Sequence, residues 1–547
     1  AREQMASANM KRQKELERIC QALENIKEKK PGTFHEAMQL FWLFALLAGV
    51  INYGRLDDYL GPYLVADLKS GRLTDEEAYR YIHSLWTMIE NRRTTVNGRI
   101  IVGGKGRKHP KEADVFLHIA MKVAKNCRYV EPQFTLRFDK DTSEEIWDEA
   151  LDALGAGATY PTLYNDDVNV PAVMYGMRVD EKAAEQYVPF GCTEFVIQGQ
   201  STGTPNICIN LLKLLTIYMN DGIDPIDGKR KSGPVPLKKL EEYQTFEEFY
   251  DGYKALLDYY LDLSVKAQYH SYEVMNQHVS FLFTSLLTDD CIARGKALLD
   301  GGVRYLGGTN ETYGNINTSD SLWVIRDLVF NQKKYTLRQL NDAMLANFNG
   351  YEALRKDCLN CDKYGNDLET ADTMANDLYE FVAKGVRDRG IAIGMQYFLI
   401  VISNNQLNTE WGNRTAASPD GRLSCMYMNP ANNPQGGANK SGPTAMLNSL
   451  AKFDAKYHGG SVQNIKFSPS MFNENRAVIK SLFKTYFAKG GCHLMVTVVD
   501  KGVLEDAVEH PENYPDLIVR VSGFSAVFVD LSPNIQQELL SRVLYDE

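Results

Sequence analysis

The 547 residues are 44% apolar, 24% charged and 11% aromatic, a globular composition that excludes a disordered or fibrous chain and is long enough to enclose a site completely. With 70 acidic against 60 basic residues the net charge is −10, and the basic side chains are scattered, so no positive stripe is available for a nucleic-acid backbone. The longest uncharged apolar stretch, Leu40 to Ile51, falls short of the roughly 20 residues that cross a bilayer and reads as a buried helix. Nine cysteines without framework spacing point to a reducing cytoplasm.

The chain opens on Ala1 with a charged helical pattern, and its true start is expected upstream. Lys11 to Lys29 carries periodic apolar positions, Thr33 is placed to cap a helix over Phe34 to Val50, and Thr74 with Glu77 makes a capping box ahead of Ala78 to Glu90. β-Branched and aromatic runs then predict strands at Arg99 to Val102, Gln133 to Phe138, Tyr187 to Ile197, Ile391 to Ile393, Val462 to Phe467, Leu494 to Val499 and Leu517 to Val521. Alternation with helical stretches implies an α/β architecture, either a barrel or a large open sheet. Ser418 to Pro443, rich in Pro, Gly and Asn, is the clearest seam, and a boundary near residue 440 divides 1–440 from 441–547.

Two strings carry chemistry. In RVSGFSAVFVDLSPNIQQELLSR, Arg520 to Arg542, Gly523 interrupts a β-type run, where a strand avoids glycine unless the backbone bends or is approached closely. In VPFGCTEF, Cys192 stands between Gly191 and Thr193 with Glu194 two residues on, a spacing that in an extended loop turns sulfur and carboxylate to the same side and suits a base. Taken alone, Gly523 also reads as a tight turn, Cys192 as a small buried hydrophobe and Glu194 as a structural ion-pair partner.

Together the strings resemble the glycyl radical enzymes. Arg520, Val521, Gly523, Ala526, Phe528, Leu531, Gln537 and Arg542 fall on that family's radical signature, with Phe524 in place of the usual Tyr, and Gly191 to Glu194 fall on its thiyl loop. GRLDDYLGPYL from Gly54, IIVGGKG from Ile100, YNDD from Tyr164, SPDGR from Ser418 and SGPTAMLNSLAKFD from Ser441 extend the resemblance over nearly the whole chain. It implies a ten-stranded α/β barrel of two five-stranded halves surrounded by helices, with the two loops buried at its centre.

The resemblance further implies that Gly523 stores an unpaired electron. Loss of a hydrogen from a glycine Cα leaves a radical between an electron-donating nitrogen and an electron-withdrawing carbonyl, free to flatten because no side chain is present. Cys192 would give its hydrogen atom to that radical and, as a thiyl radical, take one from a small substrate, with Glu194 as base. A separate activating enzyme using S-adenosylmethionine and an iron–sulfur cluster would install the radical, and this chain would need no dissociable cofactor. Anaerobic work as a homodimer is implied, with the part after the seam swinging out on Ser418 to Pro443 for activation. Family members usually carry a further segment ahead of the part matching Gly32, so some substrate contacts are expected outside this sequence.

A single cysteine flanked by Gly191 and Thr193 disfavours the two-cysteine acyl transfer of pyruvate formate-lyase and fits the eliminases and decarboxylases. The sequence favours a lyase that removes hydrogen from a small hydroxylated substrate and expels water or another leaving group, with Thr193 and Asn206 as substrate contacts. Asn206 stands near where several dehydratases place an Asp, a departure that speaks against polyol dehydration. The alternatives are an arylacetate-type decarboxylase, for which Phe190 and Phe195 would be the aromatic lining, and a formate acyltransferase-like activity. From a different class, GQSTG at Gly199 to Gly203 matches the nucleophile elbow of α/β-hydrolases and would make Ser201 a nucleophile. No metal site is expected, since CLNC at Cys358 to Cys361 lacks the second pair of a zinc site and the nine histidines form no HExxH cluster.

Overall fold

The computed structural model describes residues 2–50, 52–93, 98–203, 207–279, 281–402 and 406–546. Local signals set the first helices: Asn9 caps Met10–Glu28, Thr33 accepts from the Glu36 amide at the start of Phe34–Leu47, and the Thr74–Glu77 capping box opens Asp75–Asn91. No helix among the described residues is long and apolar enough to cross a membrane.

Strands and helices then alternate. β1 (Gly54–Arg55), β2 (Arg99–Gly103), β3 (Gln133–Phe138) and β4 (Thr162–Asn165) lie parallel in that order. β5 (Tyr187–Phe190) and β6 (Glu194–Ile197) make an antiparallel hairpin. β7 (Ile207–Asn210), β8 (Gly307–Tyr313), β9 (Tyr397–Ile402) and β10 (His458–Ser461) form a second parallel set, and β11 (Asn464–Phe467) lies parallel to β12 (His493–Val498).

β10 and β11 are one extended run. The Val462 amide donates to Ile402 O on the β9 side, and the Met495 amide donates to Gln463 O on the β12 side, so after a register shift between His458 and Ser461 the ladder passes from one neighbour to the other. Counted as one strand, this run makes β7 to β12 a five-stranded parallel half. β12 meets β4 antiparallel, joining it to the four-stranded half β1 to β4. The expected division into five and five is thus five and four among the described residues.

Two expectations are corrected. Ile391 and Ile393 belong to the end of helix Glu369–Ala392; Gly394, at φ +91°, turns the chain, and the strand is the next apolar run, Tyr397–Ile402. The Ser418 to Pro443 seam is interior rather than loose. Arg422, 4% exposed, donates to the carbonyls of Ala416, Gly412 and Met426, while Asn317 bonds Asp420 and Gln435 and Asn429 bonds the carbonyls of Ala431 and Asn433. The Asn and Gly that read as a linker satisfy an irregular buried backbone.

Beyond residue 440, β10 to β12 complete the sheets. A separate small core begins at Val499 and gathers Leu504, Val519, Val521, Phe524, Phe528, Ile535 and Leu539 around the antiparallel hairpin of β13 (Ile518–Arg520) and β14 (Ser525–Val527).

The β5–β6 hairpin is anchored by a fully buried ion pair. Arg137 meets Asp166 at 2.8 Å, donates to Tyr187 O and Glu185 O, and lies over the Tyr187 ring, whose hydroxyl donates to Asp166 at 2.7 Å. Removing one member of such a pair strands its partner's charge, so Arg137→Ala is expected to cost about 3–5 kcal/mol in urea unfolding. A loss under about 1 kcal/mol would mean that the pair does not anchor the hairpin.

Candidate active site

The β5–β6 hairpin presents Cys192, Thr193 and Glu194 at its tip, 3%, 0% and 6% exposed. Gly191 adopts φ +54°, which favours glycine, and a side chain there would come within 2.8 Å of the Glu194 carboxylate and displace it. Glu194 Oε2 folds back to accept from the Thr193 amide at 2.9 Å, which holds the carboxylate beside the cysteine.

The β13–β14 hairpin brings the second tip, where the Val521 and Ser522 amides donate to Phe524 O and close the turn around Gly523. A Cβ built on Gly523 would lie 2.2 Å from Cys192 Cβ and 2.7 Å from Sγ. The φ of Gly523 lies outside the left-handed region, so glycine is required there for space alone. The hairpins therefore meet tip to tip, and any side chain would force them apart.

Motif residues hold the second tip. Arg542 donates to Val521 O at 2.6 Å and pairs with Glu538 at 2.7 Å, tying helix Pro533–Ser541 to the hairpin. Arg520 is buried over the Tyr160 ring and reaches Ser525. Phe524 packs in the small core, and Gln536 rather than the exposed Gln537 donates to Phe528 O.

Electrostatics keep Cys192 protonated. Burial pushes its thiol well above the usual range, and the carboxylates of Glu194 and Glu311 add to the rise against a weaker pull from Arg99 and Arg520. A thiolate is the nucleophile of cysteine chemistry; an S–H is what a hydrogen-atom donor requires. His458 and His493 are buried neutral. Burial drives His458 down to about 4 and His493 well below its ordinary value, the latter helped by Arg99 and Arg520.

Sequence reasoning missed Glu311, Tyr313, Tyr164 and Arg99. Glu311 sits on β8, 4% exposed, and accepts from the Tyr313 hydroxyl and, at 3.8 Å, the Cys208 thiol. Its strand, GGTNETY, carries no β-type apolar run because its buried polar residues serve both faces, Glu311 on the side of Cys208 and Asn310 toward Ser264 of helix Phe246–His278. Tyr164, on β4, packs edge-on against His493 with centroids 4.5 Å apart. Arg99 reaches the carbonyls of both tips. Only its place at the head of a predicted strand could have drawn attention to it.

The other expected residues are placed as follows. The Thr193 hydroxyl is fully buried against Gly460 and has no hydrogen-bond partner among the described residues. Asn206 lies outside the described residues. Ser201 Oγ accepts from the Ile197 amide at 2.8 Å, and the next described element is strand β7, so the strand-to-helix elbow of a serine hydrolase is not formed there. Phe195 is core, packed on Tyr187 and His458. Among the described residues, His118, Glu145 and Glu149 are the sole group that could hold a metal; they stand on two outer helices, away from the tips.

Residues 1–407 match the family model described as pyruvate formate lyase-like, and residues 428–529 match the glycine radical model. The chain belongs to the pyruvate formate lyase-like family and carries a glycine radical domain, which makes it an enzyme of the glycyl radical lyase class. It is 28% identical over 555 residues to trans-4-hydroxy-L-proline dehydratase of Clostridioides difficile, covering 97% of this chain and 70% of the relative. It is 25% identical over 609 residues to the glycyl radical subunit of 4-hydroxyphenylacetate decarboxylase from Clostridioides difficile strain 630, covering 98% and 66%. The glycerol-bound B12-independent glycerol dehydratase of Clostridium butyricum superposes with a TM-score of 0.91 at 28% identity, covering 100% of this chain and 71% of that one.

The buried histidines carry a pH dependence. Below about pH 6.5 the unfolded chain takes up a proton that folded His458 refuses until about pH 4, so stability falls as pH drops through that window. The expected contribution is about 1.4 kcal/mol per pH unit, read from denaturant unfolding at several pH values and removed in His458→Gln. An unchanged slope in the variant would mean that His458 titrates alike in both states.

Proposed function

We propose that Gly523, Cys192 and Glu194 form a hydrogen-atom relay that opens a lyase reaction on a small hydroxylated substrate. The observation that carries it is the tip-to-tip meeting of Gly523 and Cys192 with no room for a Cβ, in a site that keeps the thiol as S–H. The radical on Gly523 supplies the vacancy that accepts a hydrogen atom. Cys192 gives its S–H hydrogen to Gly523 Cα and then takes one from the substrate carbon bearing a hydroxyl, so an S–H bond forms as a C–H bond breaks.

Expulsion of water needs one proton taken and one supplied. Glu194 takes the proton of the neighbouring hydroxyl and delivers it to the leaving hydroxyl as its C–O bond breaks, so water departs and Glu194 is a carboxylate again, while the Glu311 carboxylate, which accepts from the Tyr313 hydroxyl, holds a substrate hydroxyl in place as a second acceptor. The product carbon then recovers a hydrogen atom from Cys192, which recovers its own from Gly523. Named dehydratases among the relatives support elimination over the alternatives.

A separate activase using S-adenosylmethionine and an iron–sulfur cluster must reach Gly523. The unit from Val499 onward, with its own apolar core, is suited to leave and redock as a body, whereas the packed seam is poorly suited to act as a hinge. We take the enzyme to work as an anaerobic cytoplasmic homodimer.

After anaerobic activation, electron paramagnetic resonance is expected to show a glycyl doublet that is lost in Gly523→Ala. In Cys192→Ala the doublet persists and turnover vanishes. Glu194→Gln and Glu311→Gln keep the doublet and lower kcat by about 10²-fold or more on a substrate that eliminates water. Full turnover in Cys192→Ala would refute the relay, and release of carbon dioxide in place of water would refute elimination.

A further inference from the structure

β2 begins at Arg99, opposite Gln133 of the parallel strand β3, and two β3 side chains fix its guanidinium plane. Nη2 donates to Gln133 Oε1 at 2.9 Å and Nη1 to Thr135 Oγ1 at 2.8 Å. The same Nη2 lies 2.8 Å from Gly191 O, 3.0 Å from Cys192 O and 3.4 Å from Gly523 O. One fully buried cation thus touches the backbone of both tips, including the two residues whose meeting the chemistry requires.

Gln133 is held in turn by Glu131, and the Tyr164 ring lies 5.9 Å from the guanidinium carbon. Arg520 and His493 also face this cluster; Arg520 carries donors alone, and His493 Nδ1 already accepts from the Gln463 amide. The three carbonyl contacts are graded: the two shorter ones go to the β5–β6 tip, the longest to Gly523. Neutral carbonyls bound by a charged donor in a dry interior are held more strongly than by a neutral one.

We propose that Arg99 is a positioning residue, a releasable latch that fixes the Gly523 hairpin on the Cys192 hairpin and lets go of the Gly523 side first. The proposal rests on the relay described above. The latch stays with the β5–β6 tip and β3, so the unit beginning at Val499 departs from a preformed seat and returns to it. A planar fork is needed, since it gives Nη1 to Thr135 while the two hydrogens of Nη2 are shared among Gln133 and the tip carbonyls, and the point donor of lysine cannot stand in both places.

Hydrogen exchange on the unactivated protein tests the latch without reference to chemistry. In Arg99→Gln, amides within 518–527 are expected to exchange about tenfold faster with β7 to β9 unchanged. Arg99→Lys should give a smaller rise of the same pattern. Gln133→Met, which leaves the cation but removes one anchor, should raise exchange by about twofold and decides the matter if neither arginine variant folds.

After activation the arginine variants should form the glycyl doublet at least as readily as the native enzyme, while kcat falls about 100-fold and KM stays within about threefold. Unchanged exchange at 518–527 in every folded variant would overturn the latch. Faster exchange in a protein that never gives a glycyl signal, native chain included, would leave the latch standing and sink the relay.

Discussion

The structure is organised around one steric constraint: a backbone carbon must come within touching distance of a sulfur deep inside the protein. Hydrogen-atom transfer has no long-range driving force to guide it, so geometry has to supply what charge supplies in acid–base catalysis. Two antiparallel hairpins far apart in sequence, one from the first half of the chain and one near its last residues, are aimed at each other, each with a glycine at its tip for a different reason. Gly191 is needed for its backbone angle and for the carboxylate folded over it. Gly523 is needed because nothing larger fits.

Around that meeting point the surroundings suppress ionic reactivity. Two carboxylates and burial oppose the thiolate, and two histidines are held neutral, so the groups that would ordinarily make a cysteine a nucleophile are turned the other way. The cations present, Arg99 and Arg520, serve carbonyls, rings and hydroxyls rather than the sulfur. A radical reaction and an acyl transfer place contradictory demands on one sulfur, and this environment meets the first.

The strings around Cys192 with Glu194 and around Gly523 stood out in the sequence through their resemblance to a family signature, which a short contiguous string can carry; spacing alone left a turn and a buried cysteine as open readings. Helix starts were legible because Thr33 and the Thr74–Glu77 box act within three residues. What could not be read was polar and nonlocal. β8 looks like a loop because Thr309, Asn310 and Glu311 are buried for interactions with distant elements, such as the bond from Asn310 to Ser264. The Ser418 to Pro443 stretch looked loose because composition cannot tell a solvated loop from one whose amides are satisfied internally. Arg99 gave no signal beyond its place at the head of a strand, since its partners lie on three separate segments.

The extended run from His458 to Phe467, bulged between His458 and Ser461, ties two sheets together. One strand is hydrogen-bonded to β9 along its first part and to β12 along its second, so it acts as a tie-rod between the two ladders. Parting the sheets at that seam would break both rows of bonds together, so the wall there resists opening. On the proposed opening of the unit that begins at Val499, this wall would keep its shape while the hairpin around Gly523 moves.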